Sequence, residues 1–443
     1  MLLLNSQAQA LTSIKLINLF IAKEGAWSQV KKKIAVIGGG AAGMMAAIQA
    51  SGDETLVELY ERNDRVGKKL LSTGNGKCNF SNTDMNSSAY YGSAVSYCDK
   101  LFSEFGVKES IDFFSQAGML IKDRNGYLYP ASEQASTVLD ILRIKLEHLG
   151  VHIYTDCKVE RIETIQGNEK LQIVTDSNKG MLDEKKQYDS VILACGGKAA
   201  PATGSDGNGF KIAKALGHHV TEVVPALVQL RCREDFFKSV AGVRTQADLT
   251  LYIDGESKCR IHGELQLTDY GISGIPVFCI SREAAFAILH KKTVTVGINF
   301  LPQFVDNEYE LFWKERWVKQ ANQSLEQFLT GIANKKINQL IIRLSGCRPH
   351  EFTNEICEEK RAKIAGLYRK LVVTVCKANG FEHAQVSAGG IPIHELTDEL
   401  ESKHVPHLYF AGEIIDMDGI CGGYNLQWAW TSGAVAGRAA RRT

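Results

Sequence analysis

The sequence lacks several patterns that would assign it to a common protein class. Its eleven cysteines include no C-x-x-C pair, which argues against a disulfide framework, a zinc cluster and a redox pair of the thioredoxin reductase type. The net charge is +1, so the global field favours neither nucleic acid nor an anionic membrane as a partner. No tandem repeat or low-complexity segment occurs. We therefore expect a globular protein of the reducing cytoplasm, without a metal site.

The sequence also lacks an apolar run that would read as a membrane span. Residues 2–21 are fairly apolar, but polar residues such as Asn5, Lys15 and Asn18 interrupt them. The segment has neither the basic start nor the small-residue cleavage site of a signal peptide. Val30, followed by three lysines, looks like a natural beginning of a first strand. We expect residues 1–29 to be an appendage or a start-site artefact.

Residues 34–43, with the sequence IAVIGGGAAG, form the stretch around which the chain is organised. An apolar strand leads into the pattern G-x-G-x-x-G at Gly38, Gly40 and Gly43, and a helix follows. The first glycine allows a sharp turn, the second lets the backbone approach a pyrophosphate, and the third lets the helix pack on the strand. The helix N-terminus then offers N–H groups and a partial positive charge to the phosphates.

A second strand supports the dinucleotide interpretation of this motif. Residues 56–61, LVELYE, end in Glu61, which lies 18 positions after Gly43. A carboxylate is expected there to bind the ribose hydroxyls. A solvated strand end is the alternative for Glu61, but the complete unit favours dinucleotide binding.

Residues 62–82 read as a long loop that crosses the cofactor, because glycines and small polar residues interrupt every regular pattern. Backbone amides and the cations Arg62, Lys68 and Lys69 are available there to phosphates. Cys78 in this loop is either a redox-active thiol or a packing residue, and we favour packing.

Two later segments place further strand ends next to glycines. Residues 190–194 are an apolar strand that runs into Gly196, where a backbone without side chain could pass close to a flat ring. Residues 408–413 are a buried strand ending in Gly412 and Glu413, and a glycine-rich loop and a helix follow. The dinucleotide domain is therefore discontinuous.

The segment between these strands has a different character. Short alternating strands, predicted at 228–232, 247–253, 260–266, 276–280 and 294–300, suggest a small barrel or sandwich. An amphipathic helical pattern follows, with Trp313 and Trp317 interpreted as core residues. The predicted units are a dinucleotide domain at 30–220 and 389–443, a β-barrel insert at 221–305 and 367–388, and a helical subdomain at 306–366.

Two features favour FAD over NAD as the resident dinucleotide. A cofactor that touches the first strand, the 62–82 loop and the C-terminal strand and helix must be long. No second G-x-G-x-x-G unit is present for a separate nicotinamide domain.

Five blocks of residues resemble one known family. They read GGGAAG, ERNDRVGKKLLSTGNGKCNFSN, GELQLTDYGISGIPVF, VSAGGI and FAGEIIDMDGICGGYNLQWAWTSGAVAG. The chain is similar, over about residues 31–440, to the bacterial NAD(P)/FAD-dependent oxidoreductases that include the clostridial bile-acid-inducible flavoprotein reductases. The resemblance implies an α/β fold: a Rossmann-like FAD-binding domain of the glutathione reductase and fumarate reductase type, with an inserted β-barrel and a helical subdomain.

The resemblance also implies cofactor contacts for non-covalent FAD. The backbones of Gly38, Gly40, Ala42 and Gly43 would hold the pyrophosphate, and Glu61 the adenosine ribose. The residues expected to line the rest of the cofactor are Lys69, Leu70, Thr73, Gly74, Asn79, Val159 (near the adenine), Gly412 and Glu413 (ribityl–phosphate end), and Gly423, Tyr424, Asn425 and Leu426 (pyrimidine edge). Arg62 and Gly196 complete the expected set on the grounds given above.

The resemblance further implies an activity on a small-molecule substrate. The expected reaction reduces carbon–carbon double bonds conjugated to a carbonyl, with NAD(P)H as electron donor, and the leading substrate is an unsaturated 3-oxo bile acid or steroid. Tyr270, Asp269 and Tyr424 are candidate proton donors, although a structural hydrogen bond is an alternative for each. Some relatives carry His where this chain has Asp269.

Two other functions remain open at this stage. Relatives in the same broad family reduce uridine to dihydrouridine in ribosomal RNA, which would need a basic surface from Lys291, Lys292, Lys335, Lys336 and residues 438–442. The other alternative is an FAD oxidase or sensor module without a dedicated substrate. The sequence suggests no membrane partner and no obligate protein partner.

Overall fold

The computed structural model describes residues 31–442, except positions 166, 168 and 177–184. The expectation for residues 1–29 therefore lies outside the described residues. Within the described ranges, no helix combines the length and the apolar character that crossing a membrane requires.

The strands alternate with helices in the N-terminal part of the chain. Its strands are β1 (Lys32–Ile37), β2 (Thr55–Tyr60), β3 (Ser81–Asn82), β4 (Tyr90–Tyr91), β5 (Ile121–Arg124), β6 (Tyr127–Pro130), β7 (His152–Tyr154), β8 (Val159–Thr164), β9 (Leu171–Thr175), β10 (Lys186–Tyr188) and β11 (Ser190–Leu193). Its helices are α1 (Ala41–Ala50), α2 (Lys68–Ser72), α3 (Cys98–Glu104), α4 (Val107–Gln116), α5 (Ala135–His148) and α6 (Asn208–Ala215).

The rest of the chain is strand-rich, then helical, and returns to strands before a long C-terminal helix. Its strands are β12 (Val224–Ala226), β13 (Leu230–Cys232), β14 (Arg244–Ile253), β15 (Glu256–Leu267), β16 (Gly271–Ser273), β17 (Val294–Asn299), β18 (Leu371–Ala378), β19 (Val386–Ala388), β20 (Leu408–Phe410) and β21 (Asp418–Gly419). Its helices are α7 (Phe237–Val240), α8 (Ile275–Leu289), α9 (Asp306–Lys319), α10 (Leu325–Leu329), α11 (Lys335–Ser345), α12 (Glu358–Arg369) and α13 (Tyr424–Arg442).

A parallel sheet in the order β20-β11-β1-β2-β7 forms the centre of the first unit. Ile34 of β1 is paired with Val57 on one side and with Ser190 on the other. The strands are nearly continuous apolar runs because both faces of a parallel sheet are covered. The predicted Rossmann-like fold class is confirmed, and β20 from the C-terminal end completes the sheet.

Helix α13 packs very closely on α1, and two glycines explain why. A Cβ atom on Gly433 would lie 2.4 Å from the carbonyl oxygen of Ala42, and one on Gly437 would lie 2.4 Å from that of Ala46. Larger residues at these positions would push the helices apart. The stripe of small residues thus fixes the C-terminal helix beside the glycine turn.

The second unit is a closed barrel of six strands in the order β13-β16-β15-β14-β17-β18. Its interior is apolar, with Leu249, Val296 and Val373 fully buried. The prediction of a strand at 276–280 is wrong, because this segment is the start of α8. The run is too short to distinguish strand from helix by its pattern, and Pro276 is tolerated in a first helical turn, where no N–H partner is needed.

Helices α9–α12 join the same apolar core as the barrel. Trp313 is 5% exposed, and Trp317 stacks on Phe328 with ring centroids 4.1 Å apart. Both tryptophans therefore pack as expected. The 62–82 loop is more regular than predicted, since Lys68–Ser72 forms a one-turn helix, α2.

Candidate functional site

The glycine turn after β1 is closed on its inner side and open on its outer side. A Cβ atom on Gly38, which has φ +107°, would lie 2.5 Å from the carbonyl oxygen of Ala194, and one on Gly43 would lie 1.8 Å from that of Gly38. A Cβ atom on Gly40 would meet no atom within 4 Å. The open side at Gly40 is where a pyrophosphate can approach the backbone.

The first turn of α1 faces the same space. Among the described residues, no side chain caps this helix at its N-cap residue, Gly40. Its first N–H groups and the positive end of its dipole are thus available to an anion. Gly412, with φ +78°, lies directly opposite, because a Cβ atom there would be 2.7 Å from the Cβ of Ala42. The structure therefore brings the predicted residues from both ends of the chain together.

Glu61 lies at the end of β2, beside the glycine turn, and is 7% exposed. The N–H of Gly39 donates to its Oε2 at 2.9 Å. The backbone N–H and the side-chain amide of Asn63 donate to its Oε1 at 2.8 and 2.7 Å. These bonds fix the carboxylate, and its remaining lone pairs can accept ribose hydroxyls. Asn63 has no counterpart among the sequence-predicted residues.

Arg62 and Val159 both contact one further loop. Arg62 forms an ion pair with Asp206. The side-chain amide of Asn208 donates to the carbonyl of Val159 at 3.1 Å. Gly196, with φ +70°, lies against Ser205 of the same loop, and a Cβ atom on it would be 2.7 Å from that hydroxyl. These predicted residues thus cluster around residues 205–208.

Lys69 and Glu413 connect the first and last parts of the cofactor site. The Lys69 ammonium donates to Glu413 Oε2 at 2.6 Å, and the N–H of Ser387 donates to Oε1 at 2.8 Å. Leu70 is buried, and the hydroxyl of Thr73 donates to its carbonyl at 2.6 Å. This short segment therefore has a fixed shape beside Glu413.

Asn79 lies against the N-terminus of α13. A Cβ atom on Gly423, with φ +93°, would lie 2.9 Å from Asn79 Oδ1, and one on Gly74 would lie 2.9 Å from the Asn79 nitrogen. Asn79 Oδ1 is buried and has no hydrogen-bond partner among the described residues. A buried amide oxygen without a donor fits a ligand N–H or O–H group. This acceptor, together with the open space at Gly40, fits FAD as the bound group.

The first turn of α13 holds its preceding loop in place. Asn425 accepts a hydrogen bond from the N–H of Gly419 at 2.9 Å and donates to its carbonyl at 2.8 Å. The hydroxyl of Tyr424 donates to the carbonyl of Asp84 at 3.0 Å. Leu426 is half-buried. The proton of Tyr424 is thus already engaged in a structural hydrogen bond.

Tyr270 lies on the barrel, at the turn before β16, within a polar network. The side-chain amide of Asn379 donates to its hydroxyl oxygen at 3.1 Å, and Arg231 Nε donates to Asn379 Oδ1 at 2.8 Å. The Arg231 guanidinium also lies over the Tyr270 ring, 4.4 Å from its centroid. Asp269 is exposed. The structure therefore places Asp269 and Tyr270 on the barrel and Tyr424 at the start of α13.

Arg231 and Asn379 were not predicted from the sequence. They lie 148 positions apart, and no motif links them to each other or to Tyr270. Only the pairing of β13 with β18 in the barrel brings them together.

A buried ion pair joins the barrel to the loop that precedes Gly423. Arg282 Nε on α8 lies 2.9 and 3.0 Å from the two carboxylate oxygens of Asp418. The guanidinium also lies over the rings of Tyr91 and Phe286. Asp418 is 2% exposed, and burial raises its pKa to about 7 although Arg282 favours the charged form.

The Cys78 thiol is fully buried, and its burial raises the pKa to about 12. This environment favours the packing interpretation over a redox role.

A separate cluster, His218, Glu395 and His404, has side chains of the metal-ligating type. His218 Nδ1 lies 2.8 Å from Glu395, and its Nε2 lies 2.8 Å from the Ser402 hydroxyl. Both ring nitrogens are therefore satisfied within the protein, without an ion.

Comparisons with known proteins identify the family of the chain. Residues 32–439 match the family described as HI0933-like protein Rossmann domain. The chain is 39% identical to the 3-dehydro-bile acid delta(4,6)-reductase of Clostridium scindens, over 92% of this chain and 98% of the relative. It is 28% and 27% identical to the ribosomal RNA dihydrouridine synthases of Haemophilus influenzae and Escherichia coli, over 91% and 90% of this chain and 97% and 95% of the relatives.

Among solved structures, a 3-ketosteroid-delta4-(5alpha)-dehydrogenase from Rhodococcus jostii is 15% identical with a TM-score of 0.47. The match covers 95% of this chain and 99% of that one. The chain belongs to the HI0933-like family of Rossmann-domain flavoproteins and is an oxidoreductase of the flavoenzyme type.

Proposed function

We propose that this protein uses NAD(P)H to reduce carbon–carbon double bonds conjugated to a carbonyl, and that its substrate is an unsaturated 3-oxo bile acid or steroid. The observation that carries the proposal is the 39% identity to a 3-dehydro-bile acid delta(4,6)-reductase over 98% of that relative's length. The two chains therefore share the barrel as well as the cofactor domain, and the barrel carries Tyr270.

Each main group on the cofactor side of the site would bind one part of FAD. The turn at Gly40 and the first turn of α1 would bind the pyrophosphate, Glu61 the ribose, and Asn79 and the start of α13 the flavin end. Bound FAD would supply the hydride for the double bond. The positive end of the α13 dipole would stabilise the negative charge of the reduced cofactor.

Tyr270 is the candidate that best fits the proton donor. Asn379 donates to its hydroxyl oxygen at 3.1 Å, so the hydroxyl hydrogen remains free to be donated in another direction. The Tyr424 hydroxyl, in contrast, donates to the carbonyl of Asp84. In the proposed reaction, Tyr270 gives its proton to the carbon next to the one that accepts the hydride.

NAD(P)H, the electron donor, would bind at the same face of the flavin as the substrate. The sequence has no second dinucleotide fingerprint, so we propose that NAD(P)H binds, reduces the cofactor and leaves before the substrate enters. Such alternation predicts ping-pong kinetics.

The experiment uses the purified holoprotein without oxygen. NADH or NADPH is added and the flavin absorbance is followed, and then a 3-oxo-4,6-diene bile acid, a dienone steroid, ribosomal RNA or oxygen is added separately. The proposal expects rapid reoxidation by the dienones and formation of the saturated product. Rapid reoxidation by oxygen alone would instead indicate an oxidase, and none by the dienones would overturn the proposal.

Reduction of uridine in ribosomal RNA is the second candidate, because two relatives with that activity match nearly the whole chain. The basic residues expected for RNA docking are largely engaged within the protein. Lys336 donates to the carbonyl of Ala241 at 2.8 Å, and Arg442 donates to Glu399 at 2.6 Å. Dihydrouridine in RNA after incubation with the reduced holoprotein would favour this candidate.

A further inference from the structure

The guanidinium of Arg231, on strand β13 of the barrel, has most of its hydrogen-bonding capacity unused. Its Nε donates to Asn379 Oδ1 at 2.8 Å, and its central carbon lies 4.4 Å from the centre of the Tyr270 ring. The N–H groups on its two terminal nitrogens have no acceptor in the described part of the chain. Arg231 is exposed, whereas its partner Asn379 is 4% exposed. The network thus has a buried base and free donors on its open side.

Asn379 holds the arginine and the tyrosine next to each other. Its amide nitrogen donates to the Tyr270 hydroxyl oxygen at 3.1 Å, and its amide oxygen accepts the bond from Arg231. The same nitrogen donates to Gln229 Oε1 at 3.2 Å, so both of its hydrogens are used. The amide is therefore fixed in one orientation. It holds the free hydroxyl hydrogen of Tyr270 beside the free N–H groups of Arg231.

The segment 379–387 connects this network to the proposed cofactor site. The carbonyl of Phe381 accepts a hydrogen bond at 2.8 Å from the N–H of Ala200, in a loop of the Rossmann unit. At the end of the segment, the N–H of Ser387 donates to Glu413 Oε1 at 2.8 Å. The network therefore lies on the side of the barrel that adjoins the cofactor-domain loops.

Given the reduction proposed above, on which this role depends, we propose that Arg231 is a catalytic residue that binds the carbonyl oxygen of the conjugated substrate. When the hydride supplied by the reduced flavin bonds to the carbon β to the carbonyl, the electron pair of the double bond moves onto the oxygen. The terminal N–H groups of Arg231 stabilise this negative charge and keep their protons. The electron pair then returns, the α-carbon takes the Tyr270 proton, and water gives a proton back to Tyr270. One hydride and one proton thus reduce the double bond.

The arrangement of the two residues matches the structure of an enone. Its α-carbon is bonded directly to the carbonyl carbon, so the acid for this carbon and the donor to the oxygen must be close neighbours. Arg231 and Tyr270 meet this requirement, because one amide side chain binds both. A guanidinium that bound only a distant carboxylate of the substrate would not need to lie over the ring of the acid.

The first measurement uses the FAD-loaded full chain in its oxidised form, which lacks the hydride needed to reduce a bound 3-oxo-4,6-diene bile acid. Carbon-13 labelling of the ligand carbonyl identifies its C=O stretch in infrared difference spectra. We expect a lower frequency in the wild type than in Arg231→Gln, because hydrogen bonds from a cation weaken the carbonyl bond. Arg343→Gln, which removes an exposed arginine of α11, should give the wild-type frequency. Equal frequencies in the wild type and Arg231→Gln would overturn the assignment.

The second measurement separates catalysis from the positioning of Tyr270. Stopped-flow absorbance follows flavin reoxidation by a 3-oxo-4-ene bile acid and by a 3-oxo-4-ene steroid without a carboxylate. Arg231→Gln should lower the limiting rate about 100-fold with both compounds. In the Tyr270→Phe background it should still lower the rate by at least about tenfold.

Three other results have different meanings. An effect of Arg231→Gln that disappears in the Tyr270→Phe background would show that the arginine only positions the tyrosine. An effect confined to the KM of the carboxylate-bearing compound would show that it binds the carboxylate. Either result overturns the role of Arg231 and leaves the proposed reduction intact, whereas a wild type that reduces neither compound would overturn both.

Discussion

The ammonium of Lys69 donates a 2.6 Å hydrogen bond to the carboxylate of Glu413, although 344 positions separate the two residues. Lys69 follows the second strand of the Rossmann unit, and Glu413 follows the last strand of the parallel sheet. The other carboxylate oxygen accepts the N–H of Ser387. The contact therefore fixes the relative position of two loops that both contribute to the proposed cofactor site.

Replacing Glu413 with Gln should weaken FAD binding. The neutral amide would leave the partly buried Lys69 ammonium without its counter-ion, and we expect the Kd for FAD to rise about tenfold. Isothermal titration of the cofactor-free protein measures this change. Glu315→Gln is the matched control, because Glu315 pairs with Lys319 on the exposed surface of α9 and its loss should leave the Kd nearly unchanged. Equal affinities of Glu413→Gln and the wild type would contradict the assigned role.

Alanine at Gly40 should remove cofactor binding without harming the fold. Gly40 has φ −80°, which alanine adopts freely, and a Cβ atom there meets no protein atom within 4 Å. The added methyl group would occupy the approach of the pyrophosphate. We expect loss of bound FAD, measured by absorbance after purification, with an unfolding free energy of the cofactor-free protein within about 0.5 kcal/mol of the wild type.

Alanine at Gly43, in contrast to alanine at Gly40, should destabilise the fold itself. Its Cβ would lie 1.8 Å from the carbonyl oxygen of Gly38, so α1 would have to move away from the turn. We expect a loss of about 2–3 kcal/mol in the unfolding free energy of the cofactor-free protein, measured in urea. If Gly43→Ala were as stable as Gly40→Ala, the helix would not need the glycine for close packing.

The local parts of this site were predictable, since each depends on a short stretch of sequence. The turn at Gly40 and the position of Glu61 follow from strand and glycine spacing alone. The prediction of a strand at 276–280 was wrong because a short apolar run fits a buried helix equally well. The network of Arg231 and Asn379 at Tyr270 could not be predicted, because it exists only after the barrel strands have paired.

Replacing Tyr270 with Phe should separate the two half-reactions of the proposed enzyme. The rate of flavin reduction by NAD(P)H should stay unchanged, since Tyr270 acts on the substrate carbon. The rate of reoxidation by a dienone should fall about 100-fold, as expected when a positioned proton donor is lost. Stopped-flow absorbance measures both rates. Tyr252→Phe on the same barrel is the control, and an equal effect of both variants would argue against Tyr270 as the acid.

The ionisation of Asp418 should make part of the stability depend on pH. Its folded pKa of about 7 lies above the ordinary value of 3.8, so the folded state holds this proton more tightly than the unfolded state does. The resulting stabilisation is complete below the unfolded pKa and is lost as the pH rises through about 7. The Asp418→Asn variant has no ionisable group at this position, so it does not lose this stabilisation as the pH rises. Relative to the wild type, the variant should gain about 2–3 kcal/mol of unfolding free energy between pH 5 and pH 8.

Urea unfolding at several pH values measures this difference, and Asp248→Asn provides a control of opposite sign. Burial opposes ionisation of Asp248 as well, but its bonds with Arg260 and His262 prevail and hold its pKa below the ordinary value. Its ion pairs stabilise the fold above the unfolded pKa, so Asp248→Asn should lose stability relative to the wild type as the pH rises from acid to neutral. A pH-independent difference for Asp418→Asn would mean that Arg282 compensates fully for the burial of the carboxylate. The domain contact would then stay equally strong on both sides of pH 7.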